Sequence, residues 1–514
     1  MLERLRRLLV HPRLPWIAAG LAVVFSLPAL GLGWLADDFL HQARILGDPS
    51  IPPVDSVTLQ LFEFFPGTEE GNGALADLGM LPWWAPPQLH ASFLRPLSAW
   101  THMADYLVWP RHAWLMHAHS LVWLALAVGV VAVLYRRLHG SGVVAGLATL
   151  LLAMEDAHAG PAGWIANRNA LIALVFAAAA LLFHDRWRRR RWVAGAVLAA
   201  GAYALALSAG EAALGIIGYL LAHALLLDRG PPWKRALSLL PYAVISAGSL
   251  AIYRFWGYGT AGADTYVDPV GAPLVYALAV VERVPVLLLN QLTPALSDVW
   301  IALPRGAQLG WSALGAVSVG GLLWWWRPVL REQRTARFWA LGMVLCLLPV
   351  CASFPMDRLL LFCGIGGAGL LASVASWSGW PGRVSRGSRS LRWVVVALLV
   401  IHLPLGALLK PARFAALYAT LGPFAEAARE APEDEAVAGQ TLVFVNGLTF
   451  LVGYTGVIRS LEGGVVPAGQ DFLVHLLEDV ELTRMDEHTL QARSPSGLLG
   501  GPAQQLVRSP SLPF

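Results

Sequence analysis

Two adjacent carboxylates, Asp37 and Asp38, stand just beyond the first long apolar run of the chain (residues 14–35). A carboxylate pair is costly inside a bilayer and stable at its surface, which makes one at a membrane boundary a functional-site hypothesis by default. The chemistry it allows is deprotonation or orientation of an acceptor, with the second acid supporting the first or a divalent cation beside a phosphate. The competing reading is a pair of ordinary loop acids that cap a helix. On Asp37 and Asp38 alone the two readings stand level.

Further along come residue types suited to holding a phosphorylated group. Arg95 precedes Pro96 among aromatic residues in FLRPLSAWTHMADYLVWPRHAWLMHAHSL, where a guanidinium fixed at a turn can grip phosphate oxygens bidentately. His117 and His119 follow near the start of an apolar run; an interfacial histidine more often hydrogen-bonds than ligates, and a metal shared by Asp38 and His117 is the alternative. In MEDAHAGPAGWIANRNALIAL, Glu155, Asp156 and His158 end one apolar run and Arg168 begins the next. That set fits a sugar-phosphate site, or else a polar turn between two helices. Glu211 sits among apolar residues, and Asp357-Arg358 forms either a self-neutralising pair or an arginine aimed at a lipid phosphate.

The elements that must position these groups are membrane helices. The 514 residues are 56% hydrophobic and 14% charged, with 22 Trp, which excludes a soluble globular chain. About eleven apolar runs approach the ~20 residues that a spanning helix needs. They lie near 14–35, 115–134, 143–154, 170–183, 193–207, 212–227, 237–253, 309–326, 337–348, 359–377 and 391–409, while 273–296 reads as a re-entrant or surface-lying helix. Arginine gathers on alternate connections, which is the positive-inside pattern rather than a nucleic-acid surface. The run Arg188-Arg189-Arg190-Arg191 also allows an anionic-lipid patch, the weaker reading.

That pattern places the N-terminus in the cytoplasm and all the acidic clusters, Asp264, Asp268 and Asp298 included, on the opposite face. The C-terminal tail falls on that face too. The expected fold class is therefore an all-α polytopic membrane protein with a small α+β tail. The expected division is a membrane domain over 1–409, carrying a periplasmic loop over 36–111, and a periplasmic domain over 410–514 with a loosely ordered end. Within the tail, TLVFVN reads as a strand and VELTRMDEHTLQAR as a hairpin. The composition, rich in Leu, Ala, Gly and Arg and almost without Lys, fits a bacterial inner membrane. Cys346, Cys351 and Cys363 read as small buried thiols. The Gly364-Ile365-Gly366-Gly367-Ala368-Gly369 run matches GxGxxG but lies inside an apolar span, so it predicts close helix packing rather than nucleotide binding.

Taken in order, LADDFLHQARILGDP, FLRPLSAWTHMADYLVW, MHAHSLVWLAL, AGWIANRNALIALVFAAAALL, SAGEAAL and MDRLLLF resemble successive motifs of the GT-C glycosyltransferase-like membrane proteins. The resemblance covers roughly residues 10–375 and is nearest the O-mannosyltransferase-like group that often carries tetratricopeptide repeats, here without them. It implies a polyprenyl-phosphate-linked sugar donor, an acceptor of undefined type, and transfer on the non-cytoplasmic side. It also implies catalysis at Asp38 with Asp37 beside it, and a cavity lined or supported by His117, Arg168 and Arg358. Where the family has a glutamate before the tryptophan of its third motif, this chain has Gly160-Pro161-Ala162-Gly163. Where it often has a lysine before the glutamate of its fifth, this chain has Gly210. Two rival functions follow: a non-catalytic scaffold of the same fold that binds lipid-linked glycan or envelope proteins, and, ranked last, a transporter or flippase.

Overall fold

The apolar runs fold as helices in the computed structural model, which describes residues 2–82, 84–262, 266–381, 388–445, 452–472, 480–486 and 490–493. Among the described residues, seven helical stretches are long and apolar enough to cross a bilayer, or eight if the bent pair Val143–Met154 and Asp156–Gly163 is one span. The protein is thus a mainly helical, polytopic membrane protein with small sheets. Fewer helices reach spanning length than the apolar runs had suggested, because several of those runs fold short. Ala194–Ala209 and Glu211–Leu226 are apolar helices of 10–17 residues. Arg334–Leu345 has 12 residues, and at ~1.5 Å per residue covers little more than half of a ~30 Å hydrocarbon layer.

Residues 273–296, read from sequence as re-entrant or surface-lying, hold Pro273–Leu292, a continuous helix long and apolar enough to cross a bilayer. Its polar side chains are satisfied by neighbours, which removes the cost of carrying them. Glu282 pairs with Arg305, Arg283 donates to the Cys351 carbonyl at 2.9 Å, and Asn290 donates to Ser297 Oγ at 2.9 Å.

The chain packs as two units, neither of them contiguous. The membrane unit comprises Met1–Gly31, Trp114–Ile252 and Val267–Ala415; the second comprises Leu32–Ala113, Tyr253–Tyr266 and Ala416–Phe514. Within the second unit the loop after the first span and the tail share a core.

In the membrane unit, helix Leu361–Trp377 lies at the centre, buried over almost its whole length. Its glycines serve packing, as the sequence predicts. A Cβ on Gly369 would stand 2.6 Å from the Trp339 ring, and one on Gly366 would stand 2.6 Å from the Tyr219 hydroxyl. Trp339, Tyr135 and Tyr219 are fully buried around it. On the outside the pattern inverts, with Leu274 81% and Val197 74% exposed, as lipid-facing side chains should be. All three cysteines are free and buried.

In the second unit, β1 (Phe62–Pro66), β2 (His90–Phe93) and β3 (Gly259–Ala261) form an antiparallel sheet in that order. The tail adds a parallel pair, β4 (Thr441–Phe444) with β5 (Gly469–Phe472), and an antiparallel pair, β6 (Glu481–Arg484) with β7 (Leu490–Arg493). Both tail elements read from sequence are therefore present. The tip of the hairpin, the end of the tail from 494 and Asp264 lie outside the described residues. Phe39, Leu40, Ala43 and Ile51 of the loop pack with Ala425, Ala428, Val457 and Ile458 of the tail in one buried cluster. Gln470 adds a polar tie, donating to the Gly79 carbonyl at 2.7 Å. Gly79 has φ +66, and a Cβ there would collide with Gln470 at 1.9 Å, so this contact requires glycine twice over.

Candidate functional site

The second unit holds Asp37 and Asp38 as the first two residues of helix Asp37–Leu46. Acids in a first turn complement the positive end of the helix dipole. The turn that delivers them is strained: Ala36 has φ 46, unusual for a residue with a side chain. Asp38 is fully buried, and its Oδ2 accepts the Leu35 N–H at 2.9 Å, reaching back across that turn. The Tyr106 hydroxyl donates to the Asp38 carbonyl at 2.9 Å and fixes the next peptide. Asp37 is only partly buried, and its Oδ1 accepts the Tyr454 hydroxyl at 3.1 Å. Burial, and then the Asp37 charge, push the Tyr454 phenol well above its usual value, so it stays a donor.

Behind this pair lies an aromatic floor. His41 is fully buried, neither ring nitrogen has a hydrogen-bond partner, and its ring stands edge-on to Phe62 at 4.6 Å. Burial, followed by the charges of Arg44 and Arg95, holds it well below the usual imidazole value and therefore neutral. Arg95, read from sequence as a phosphate ligand, lies over the rings of Phe62 and Phe93 at 5.0 and 4.7 Å. Arg44 donates to the carbonyls of Gln60 and Leu61.

The membrane unit gathers the other candidates where Val143–Met154 ends and Leu361–Trp377 begins. Arg413, on helix Gly406–Leu421, bridges two acids: its Nε donates to Asp156 Oδ2 at 2.8 Å and its Nη1 to Asp357 Oδ2. The other oxygen of Asp357 accepts the N–H of Ser297 at 2.8 Å, the hydroxyl of Ser297 at 2.7 Å and the Asn290 amide. The Asp357 N–H donates to Asp298 Oδ1 at 3.0 Å. Glu155 accepts Gln291 Nε2 at 3.0 Å, and Lys410 Nζ donates to the Ala153 carbonyl at 3.0 Å. His158 is buried with no hydrogen-bond partner on either nitrogen. Arg358 stacks over Trp164 at 5.2 Å. A Cβ on Gly160 would meet Arg358 Cβ at 3.0 Å, so the turn at Gly160 is packed by the arginine's own stem.

The structure therefore brings Asp156 and Asp357 together through one arginine and places Glu155, His158 and Arg358 on neighbouring elements. Arg168 is fully buried and donates to Ser120 Oγ at 2.9 Å and to the Met116 carbonyl at 2.8 Å, clamping the start of its helix to Ala113–His139. His117 is buried in that same helix. Asp38 and His117 belong to different units, and among the described residues no three His, Cys, Asp or Glu gather as metal ligands.

Sequence reasoning missed Arg413, Lys410 and Tyr454. The first two had a signal: KPAR at residues 410–413 puts two cations after an apolar run on the face that the charge pattern assigns to acids. Tyr454 had none, because its partner is hundreds of residues away.

No family model matches the chain, and no curated protein matches its sequence. Among solved structures, the chain is similar to the Archaeoglobus fulgidus oligosaccharyltransferase tethered to an acceptor peptide containing the NVT sequon. That match has a TM-score of 0.40 and 13% identity over 89% of this chain and 64% of that one. The chain thus spans less than two thirds of the archaeal protein. It is also similar to ArnT from Cupriavidus metallidurans bound to undecaprenyl phosphate, with a TM-score of 0.37 and 13% identity over 88% of this chain and 84% of that one.

Proposed function

We propose that this protein is a membrane glycosyltransferase of the GT-C type, moving a sugar from a polyprenyl-phosphate donor to a lipid, glycan or protein acceptor on the periplasmic face. The donor sugar is a hexose, as in the O-mannosyltransferase-like group that the ordered motifs resemble. The observation that carries this reading is the carboxylate pair: two acids held after the first span by a strained turn, one fully buried and one half-buried.

Such an arrangement divides the labour. Asp38 holds the turn through Leu35, and Asp37, half-buried and accepting the Tyr454 hydroxyl, meets the acceptor and takes or orients its proton. This refines the sequence expectation, which placed the base on Asp38. In the membrane unit Arg358 is the guanidinium assigned to donor phosphate, and Arg168, which clamps the start of its own helix, is a positioning residue.

The test is turnover of a panel of radiolabelled polyprenyl-phosphate sugars by the purified protein in lipid. Asp37→Asn should cut turnover by ~10²–10⁴-fold with an unchanged melting temperature. Asp38→Asn should lower both turnover and melting temperature, because it removes a buried group that shapes the turn. Full transfer by the double variant would remove both acids from the mechanism. Tight donor binding with no turnover in the wild type would instead favour the scaffold reading.

A further inference from the structure

The arginine-rich end of the membrane unit holds more than an orientation signal. Helices Ala113–His139, Arg168–Arg190 and Ile216–Leu226 all finish there. Arg137, Arg189 and His223 converge on Asp185 at 2.6, 3.4 and 3.1 Å. Beside them is a cavity of ≈ 380 Å³ lined by Asp228 and four arginines, Arg229, Arg235, Arg334 and Arg337, with Leu225 and Leu226 at its wall.

The one carboxylate in this lining is already committed. Asp228 Oδ2 accepts Arg188 Nε at 2.6 Å, and its Oδ1 accepts the Gly230 N–H at 2.8 Å. Arg235 is fixed in place by its Nε, which donates to the Gly230 carbonyl at 2.5 Å. Arg337 Nε is buried without a hydrogen-bond partner among the described residues. Among the described residues none of the four lining arginines makes an ion pair. Topology alone requires positive charge on this side, and water and headgroups would satisfy it anywhere on the surface. It does not require guanidiniums to line one hollow whose only acid is neutralised by a fifth arginine.

We propose that this cavity binds an anion bearing two phosphate groups, either a soluble diphosphate or the headgroup of a two-phosphate phospholipid. Guanidinium forks match phosphate oxygens in pairs, so four of them serve two phosphates. The volume lies within the range of small-ligand sites, and the leucine wall suits the first carbons of an acyl chain. The site lies at the far end of Arg168–Arg190 from Arg168 and is independent of the glycosyl-transfer reading.

The experiment uses the full-length protein in phosphatidylcholine nanodiscs. Inorganic pyrophosphate is titrated calorimetrically, and retention of cardiolipin from doped discs is read by native mass spectrometry. Binding of pyrophosphate alone assigns a soluble ligand, and retention of cardiolipin alone assigns a lipid. In either case Arg334→Gln with Arg337→Gln should weaken the bound probe at least about tenfold. The lysine pair at the same positions, which keeps charge but loses the fork, should fall between. The exposed pair Arg4→Gln with Arg331→Gln carries the same charge change and should bind as the wild type does. An equal loss in that exposed pair, or no binding of either probe by folded wild-type protein, overturns the proposal.

Discussion

The two ends of the membrane unit solve opposite electrostatic problems. At the arginine end, cations are in surplus. Asp185 has three basic partners, Asp228 has a guanidinium and an N–H, and four further arginines face a cavity. At the other end, carboxylates are in surplus, and Arg413 alone joins Asp156 to Asp357. Helix Arg168–Arg190 links the two, and its 23 residues rise ~34 Å, about one hydrocarbon thickness. Across such a distance neither surplus relieves the other, so each end has to be neutralised locally. The lesson is that one end has redundant pairing and spare donors for an anion. The other joins two acids through one shared arginine, with Lys410 and Arg358 nearby, and further carboxylate valence goes to Ser297, Asn290 and Gln291.

This contrast makes the loss of a single cation unequal at the two ends. Arg413→Met leaves Asp156 and Asp357 facing each other without their shared partner and should cost about 3 kcal/mol, read as a large drop in melting temperature in detergent. Arg413→Lys should recover only part of it, since one ammonium does not reproduce the two-acid fork. Arg137→Met at the opposite end should cost about 1 kcal/mol, because Asp185 keeps Arg189 and His223. If the two losses were equal, the asymmetry of the ends would be broken.

A pH series sharpens the comparison further. Burial would raise the Asp228 carboxyl, but hydrogen bonds from Arg188 and the Gly230 N–H outweigh it and hold the group below its ordinary value of 3.8. A depressed carboxyl contributes stability that is fully present above 3.8 and is lost as pH falls from there through the folded value. The melting temperature of wild type should therefore exceed that of Asp228→Asn at neutral pH, and the gap should close in strong acid. A pH-independent gap would remove the ion pair from the account. The smallest effect belongs to Arg4→Gln, on the exposed first helix, which should stay within about 0.5 kcal/mol of wild type.

Much of this was legible in the sequence for reasons of short range. Hydropathy, arginine placement and the glycine run at 364–369 each report a local requirement: apolar surface for lipid, charge at a helix end, small residues where helices touch. TLVFVN and VELTRMDEHTLQAR announced their strands in the same way. The count of spans was less secure. An apolar run states that it will be buried, not that it will be long enough to cross, and Ala194–Ala209 and Arg334–Leu345 are short.

The site divided along the same line. Residue types alone identified Asp37, Asp38, Glu155, Asp156, Asp357 and Arg358 as candidates, because charge beside apolar sequence is costly wherever the chain goes. Which of them is sealed, which is shared and which is merely structural was decided by partners distant in the chain. Tyr454 reaches Asp37, Arg413 reaches both Asp156 and Asp357, and Arg168 reaches Ser120 on another helix. The sequence by itself determined a polytopic helical protein with acids and arginines at membrane boundaries. Only the tertiary structure decided that the tail shares a core with the first loop and that four arginines line one hollow. The physical reason is that composition and period act over a few residues, whereas a hydrogen bond or an ion pair acts over a few ångströms between residues that the sequence places anywhere.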